Sequence, residues 1–211
     1  MARVSQAHLD ARRRQILDGA RRCFTRNGFH ATSMQDVFQE TGLSAGAVYR
    51  YFRGKDELIT AVADEAFEWM RDAFESAARQ APLRPLGEVI GGVLSRALEE
   101  QARRAGVDRP SAFAELIVQV WSETLRNKQL AATLHAGYDR MRGMWGEVVQ
   151  AYQEAGHLRA DVPTDDVVRT LMALTQGFIV QRALFKDVDS AILRNGLHAL
   201  MAADGSGRGA P

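Results

Sequence analysis

The chain has 211 residues, 46% of them hydrophobic and 25% charged, the balance of an ordinary soluble globular protein long enough for one large or two small domains. Its one cysteine, Cys23, excludes an intramolecular disulfide and any multi-cysteine metal site. The net charge of +1 conceals an asymmetry: residues 1–55 carry ten Lys and Arg against four Asp and Glu, and the remainder carries 17 against 22, so a basic N-terminal module suited to a polyanion precedes an acidic body.

The first residues, MARVSQAHLDARRRQ, are polar and arginine-rich with no apolar segment behind them, and no later stretch has the uninterrupted length of a membrane span. A cytoplasmic location is expected. Leu9, Ile16, Leu17, Ala20, Cys23 and Phe24 then share one face of a first helix, which makes Cys23 a small buried side chain. Asn27 and Gly28 supply its stop. In TSMQDVFQE a second helix opens, with Thr32 or Ser33 as cap and Asp36 completing a capping box with Ser33. Gly42 ends it, and Ser44 caps a short third helix, SAGAVYRYF.

A longer fourth helix, residues 54–80, repeats apolar positions at Leu58, Val62, Ala66, Trp69 and Ala73, and APLRPLG breaks it. Five further helices are predicted at about 86–105, 111–122, 126–155, 164–185 and 188–203. FAELIVQVW is also strand-like in composition, but Phe113, Leu116, Ile117, Val120 and Trp121 keep helical spacing. The expected fold is therefore all-α, with about nine helices. Its boundaries are expected at 1–55 for a three-helix N-terminal domain, 56–204 for a larger helical body and 205–211 for a disordered Gly-rich tail.

Two short helices joined at Gly42-Leu43-Ser44 fit the helix-turn-helix plan, in which the second helix is presented to the major groove of DNA. With Val37, Leu43 and Val48 turned inward, Ala45, Ala47 and Arg50 face out. The small side chains let the helix sit deep, and Arg50 can donate two hydrogen bonds to a guanine edge. Tyr49, Tyr51 and Lys55 suit phosphates, as do the hydroxyls of Thr32, Ser33 and Ser44 at helix starts.

The span 12–58 resembles the DNA-binding domain of the tetracycline-repressor (TetR) family. The resemblance rests on Ile16-Leu17-x-x-Ala20-x-x-x-Phe24, on Gly28-Phe29-x-x-Thr32-Ser33 and on Gly42-Leu43-Ser44-x-Gly46-x-Val48-Tyr49-x-Tyr51-Phe52-x-x-Lys55-x-x-Leu58. It implies a homodimer with an N-terminal helix-turn-helix and a C-terminal domain that binds a small effector. By position it places Ser33, Gln35, Ala45, Gly46, Ala47, Tyr49, Arg50, Tyr51 and Lys55 at DNA, and Phe52 in the core. One departure stands out: at Phe38 the family usually has a small residue, and a phenyl ring there should alter how closely the second and third helices approach.

The family's ligand-enclosing helices correspond to those carrying Trp69, Phe113, Ile117, Trp121, Met141 and Trp145, with Gln119, Glu115, Gln176 and His135 as polar residues that could orient a ligand. The penultimate helix is apolar on two faces, Val167, Leu171, Leu174 and Phe178 on one and Val168, Met172, Thr175 and Ile179 on the other. Such a helix needs a second partner, and the last helix, with Ile192, Leu193, Leu197 and Leu200, would complete a two-fold four-helix dimer bundle. The dimer interface is thus expected at Leu171, Leu174, Phe178, Ile192 and Leu197.

No GxSxG, HExxH, GxGxxG or P-loop pattern is present, and the five histidines are scattered without metal-ligand spacing. No catalytic residue, cofactor or metal is expected. A helical adaptor that binds only protein would leave the basic N-terminal module without a purpose. These observations point to a ligand-responsive transcriptional regulator, most simply a repressor of a pseudo-palindromic operator.

Overall fold

The computed structural model describes residues 6–78, 82–107, 109, 111–185 and 188–202. The C-terminal tail expected to be disordered lies outside them. Among the described residues the structure is all-α, with nine helices: α1 (Gln6–Asn27), α2 (Met34–Thr41), α3 (Ala45–Tyr49), α4 (Lys55–Ala78), α5 (Leu86–Arg104), α6 (Ser111–Thr124), α7 (Lys128–Glu154), α8 (Thr164–Leu184) and α9 (Ser190–Ala202). The strand-like run FAELIVQVW is helical, buried through Phe113, Ala114, Leu116 and Val120.

The termini of the first helices form as their local chemistry dictates. Gly28 takes φ 83° where α1 stops, and its N–H donates to the Phe24 carbonyl at 2.8 Å. Ser33 is the cap of α2: its hydroxyl accepts the Asp36 N–H while the Asp36 carboxylate accepts the Ser33 N–H at 2.7 Å. Gly42 closes α2 at φ 66°, in the left-handed region that side chains other than glycine and asparagine avoid. Ser44 accepts from the Ala47 N–H and starts α3. That helix is shorter than expected, regular only over Ala45–Tyr49, after which the chain tightens through Tyr51 N–H to Val48 O at 2.9 Å.

Compactness divides the chain differently from charge. One unit comprises residues 1–66 and 99–134, and the other 67–98 and 135–211, so the division falls inside α4, α5 and α7 rather than at residue 55. In the first unit α1 packs on both α2 and α6. Its core takes Ile16, Leu17, Ala20, Cys23 and Phe24 from α1, with Val37, Val48, Phe52, Leu58 and Val62, all essentially buried. Arg21 is fully buried as well, its guanidinium paired with Asp18 at 2.6 Å and with Glu65 of α4. Arg21 thereby ties α1 to α4, and removing its carboxylate partners would leave a buried guanidinium short of them.

In the second unit, Phe74 of α4, Ile90 and Val93 of α5, Trp145, Val148 and Tyr152 of α7, Val168, Leu171 and Met172 of α8 and Leu197 of α9 form one apolar cluster. The two apolar faces expected of α8 merge into a single inward face, Val168, Leu171, Met172, Phe178 and Ile179, because these positions recur at three and four residues. Three of the five residues expected at a dimer surface are therefore core: Leu171, Phe178 and Leu197 are each no more than 5% exposed. Leu174 and Ile192 do face outward, joined by Leu184, Phe185 and Leu200.

Candidate nucleic-acid interface

Helix α3 is presented by its flanks. Val48 is buried and Ala45, Gly46, Tyr49 and Arg50 are exposed, with Ala47 half-buried. A Cβ added at Gly46 would meet nothing within 4 Å, so the outer face of α3 is flat and open to a surface that closes on it. Ser33 and Gln35 are exposed at the start of α2, and Ser44 at the start of α3. Gln35 and Ser44 provide an amide and a hydroxyl, groups that hold phosphate oxygens, whereas the Ser33 hydroxyl and N–H both donate to the Asp36 carboxylate at 2.7 Å.

Phe38, the departure from the family pattern, is half-buried and meets Tyr49 edge to face, with ring centroids 5.5 Å apart at 73°. The enlarged side chain is accommodated at the junction of α2 and α3, where it holds the Tyr49 ring. Arg50 stacks over the neighbouring Tyr51 ring at 5.6 Å and has no carboxylate partner among the described residues.

Three of the expected phosphate contacts are differently placed. Thr32 is buried, and its hydroxyl is shared between the Gly28 carbonyl at 2.8 Å and the Cys23 carbonyl at 3.2 Å, so it closes the α1–α2 turn and is not available to DNA. The Tyr51 hydroxyl is covered and finds no partner among the described residues. Lys55 Nζ donates to the Phe29 carbonyl at 2.9 Å and lies over the Phe29 ring at 4.5 Å, which pins the start of α4 to the same turn.

The carboxylates near α2 are held by local partners. Glu40 draws Arg22 at 2.6 Å and Arg26 at 3.0 Å, and hydrogen bonds from Arg22 first, then Arg26, hold its carboxyl below the usual range. The Asp36 carboxyl is likewise lowered, chiefly by hydrogen bonding from Ser33. Burial pushes the Cys23 thiol up, leaving it a packing residue and not a reactive one.

An anchoring set has no counterpart in the sequence pattern. Gln119 of α6 accepts the Phe29 N–H at 2.8 Å, Glu123 lies 3.3 Å from His30, and Asn127 donates to Asp56 at 2.6 Å. Gln119 and Glu115, expected to orient a ligand, are therefore engaged otherwise, Glu115 with Arg109 at 2.8 Å and Ser111 at 3.1 Å. No local signal announces a bond across some ninety positions of sequence.

Of the expected effector residues, Phe113, Ile117 and Trp121 belong to the first unit, and Trp69, Met141, Trp145 and Gln176 to the second. Trp145 is 2% exposed and packs on Phe74 at 4.8 Å, and Phe113 is also buried, so both are core. Trp69 and Met141 lie partly buried against the second unit's cluster, and Ile117, Trp121 and Gln176 are half-buried. No cluster of metal-ligating side chains occurs among the described residues, and no described helix is long and apolar enough to cross a membrane.

Two capped helices around a left-handed glycine, with an open outer face on the second, define a helix-turn-helix regulator. The family model for bacterial regulatory proteins of the tetR family matches residues 16–62, and that for the C-terminal domain of BetI-type transcriptional repressors matches residues 92–202. The chain is 32% identical over 187 residues to the HTH-type transcriptional repressor Rv1474c of Mycobacterium tuberculosis, covering 89% of this chain and 90% of that one. Its fold matches Bacillus subtilis FadR solved with stearoyl-CoA, at TM-score 0.70 and 15% identity, covering 89% of this chain and 96% of that one. It also matches a regulator from Saccharomonospora viridis solved with choline, at TM-score 0.71 and 20% identity, covering 93% and 97%. The chain belongs to the TetR family of bacterial transcriptional regulators.

Proposed function

We propose that this regulator acts as a homodimeric repressor whose two α3 helices enter successive major grooves of a pseudo-palindromic operator, and that a small effector releases it. The observation that carries the reading is the exposed, uncompensated face of α3, with Ala45, Gly46 and Ala47 low on its surface and Arg50 without a carboxylate partner among the described residues. Arg50 reads a base once it leaves the Tyr51 ring. Ser33, Gln35, Ser44 and Tyr49 position the helix on phosphates, and Lys55 contributes through the one N–H that the Phe29 and His30 carbonyls leave free.

The uncovered apolar residues of α8 and α9, Leu174, Leu184, Phe185, Ile192 and Leu200, support self-association through this face. Effector control is supported by the ligands of the two structural neighbours, an acyl-CoA and choline. The partly buried Trp69, Met70, Tyr138 and Met141 of the second unit offer an apolar lining for a small hydrophobic effector. A coupling on the order of 1–3 kcal/mol between effector and DNA is typical of such linkage. The family supports a cytoplasmic regulator and not an enzyme.

The test is selection of duplexes from a randomised pool by the purified protein. Enrichment of an inverted repeat with half-sites about one helical turn apart is expected. Recovery of no preferred sequence would overturn the reading.

A further inference from the structure

Each of the four carboxylates in the first 55 residues is engaged by a partner within that segment. Asp10 accepts from Gln6, Asp18 pairs with Arg21, Asp36 closes the cap at Ser33, and Glu40 binds Arg22 and Arg26. Within the arginine run of α1, Arg12 is turned along its own helix to Gln15 at 2.8 Å, and Arg14 to the Asp10 carbonyl at 3.4 Å. Arg13 alone of the three reaches across the unit. Its guanidinium lies 5.3 Å from the centroid of the Phe52 ring.

That stacking gives Arg13 a defined place. Phe52 is 2% exposed and stands three residues past Tyr49, its N–H donating to the Val48 carbonyl at 3.1 Å, so its ring is a fixed platform beyond the end of the recognition helix. A guanidinium stacked on a ring uses its flat face and leaves its N–H edge free, and that edge matches the paired oxygens of a phosphate. Arg13 is exposed and has no hydrogen-bond acceptor or carboxylate among the described residues. Arg50 stacks on Tyr51 in the same manner, so two adjacent rings each carry one arginine.

We propose that Arg13 is a further DNA-binding residue, gripping a backbone phosphate beside the groove that α3 enters. The proposal rests on the reading of α3 as recognition helix. A phosphate is the partner, and not a base, because Arg13 stands on α1, outside the helix that enters the groove, where protein contacts go to the backbone. Helix α1 thereby becomes part of the interface, a role that the motif residues of α2 and α3 do not reveal.

The test compares wild type, Arg13→Gln, Arg13→Lys and Arg50→Ala on two probes, a duplex selected by the wild type from a random pool and an unrelated duplex of equal length. Arg13→Gln is expected to weaken both by a similar factor, on the order of tenfold at low salt, and to flatten the log–log salt dependence by about 0.9 for each phosphate it no longer neutralises. Arg13→Lys, which keeps the charge, should recover most of that slope. A thermal melt shows whether Arg13→Gln remains folded; if it does not, the lysine variant carries the comparison: a near-wild-type slope with affinity lowered on both duplexes supports the guanidinium grip, and unchanged affinity overturns it. Unchanged affinity and slope in a folded Arg13→Gln, with discrimination still abolished in Arg50→Ala, would overturn the role of Arg13 and leave α3 as reader. A weakening confined to the selected duplex would also overturn it, since that is the signature of base reading. Failure of the wild type to bind either duplex would remove both readings together.

Discussion

The ring of Phe38 on α2 meets the ring of Tyr49 on α3 edge to face, 5.5 Å between centroids, so the residue that departs most from the family pattern holds a residue of the exposed recognition face. Such a pair contributes about 0.5–1.5 kcal/mol beyond the area it buries. Phe38→Ala is expected to lower stability by more than that pair energy, because the ring's buried area is lost with it, and to free Tyr49. A double-mutant cycle with Tyr49→Ala, read by urea unfolding, should show coupling the size of that pair energy. Additive effects would mean that the rings touch without holding one another.

Gln119 anchors α6 to the α1–α2 turn through the buried Phe29 N–H, 2.8 Å away. Gln119→Leu strands that donor and is expected to cost about 1–3 kcal/mol. Gly28→Ala should be destabilising as well, because its Cβ would stand 2.7 Å from the Gln119 amide oxygen at a φ of 83°. Chemical denaturation measures both. A Gln119→Leu protein of full stability would show that the bond is not formed in solution.

The outward and inward residues of α8 and α9 should separate in mutagenesis. Leu174→Glu and Ile192→Glu place charge on exposed positions, and we expect a folded monomer by light scattering. Leu171→Ala empties a site that is 4% exposed and should cost about 2–5 kcal/mol without directly altering the outward surface. A Leu174→Glu protein that remains dimeric would move the interface elsewhere.

Acid should weaken the first unit through Glu40. Its carboxyl titrates lower in the folded chain than in the unfolded one, where the value is about 4.3, so its contribution is present at neutral pH and is lost as pH falls through the lowered folded value. The stability gap between wild type and Glu40→Gln, measured by urea midpoint, should close as the pH is lowered below about 4. A gap that persists in acid would show that packing, and not charge, makes the difference.

The caps of the first helices are legible in the sequence because they are local. Ser33 and Asp36, Gly42 and Ser44 carry their capping chemistry within four residues of one another, and the structure forms those caps. The division of α8 into inward and outward residues is only half legible: periodicity shows that α8 is apolar on adjoining faces, but which face the chain buries depends on the opposing Trp145, Ile90 and Leu197, whose positions no helical pattern encodes. Thr32, Lys55 and Gln119 illustrate the same limit. Each is a polar residue whose type suits a ligand, and each is bound instead to backbone groups of the α1–α2 turn that only the folded chain brings within reach.

Arg50, the residue that follows α3 as its C-cap, is the one to which base reading is assigned. The most direct measurement is the ratio of affinities for a selected duplex and an unrelated one, at fixed salt, for wild type and Arg50→Ala. A bidentate arginine–guanine pair is worth about 1–3 kcal/mol of discrimination, so the ratio should fall by roughly 5- to 150-fold per protomer while binding to unrelated duplex changes little. An undiminished ratio in the Arg50→Ala protein would contradict that assignment.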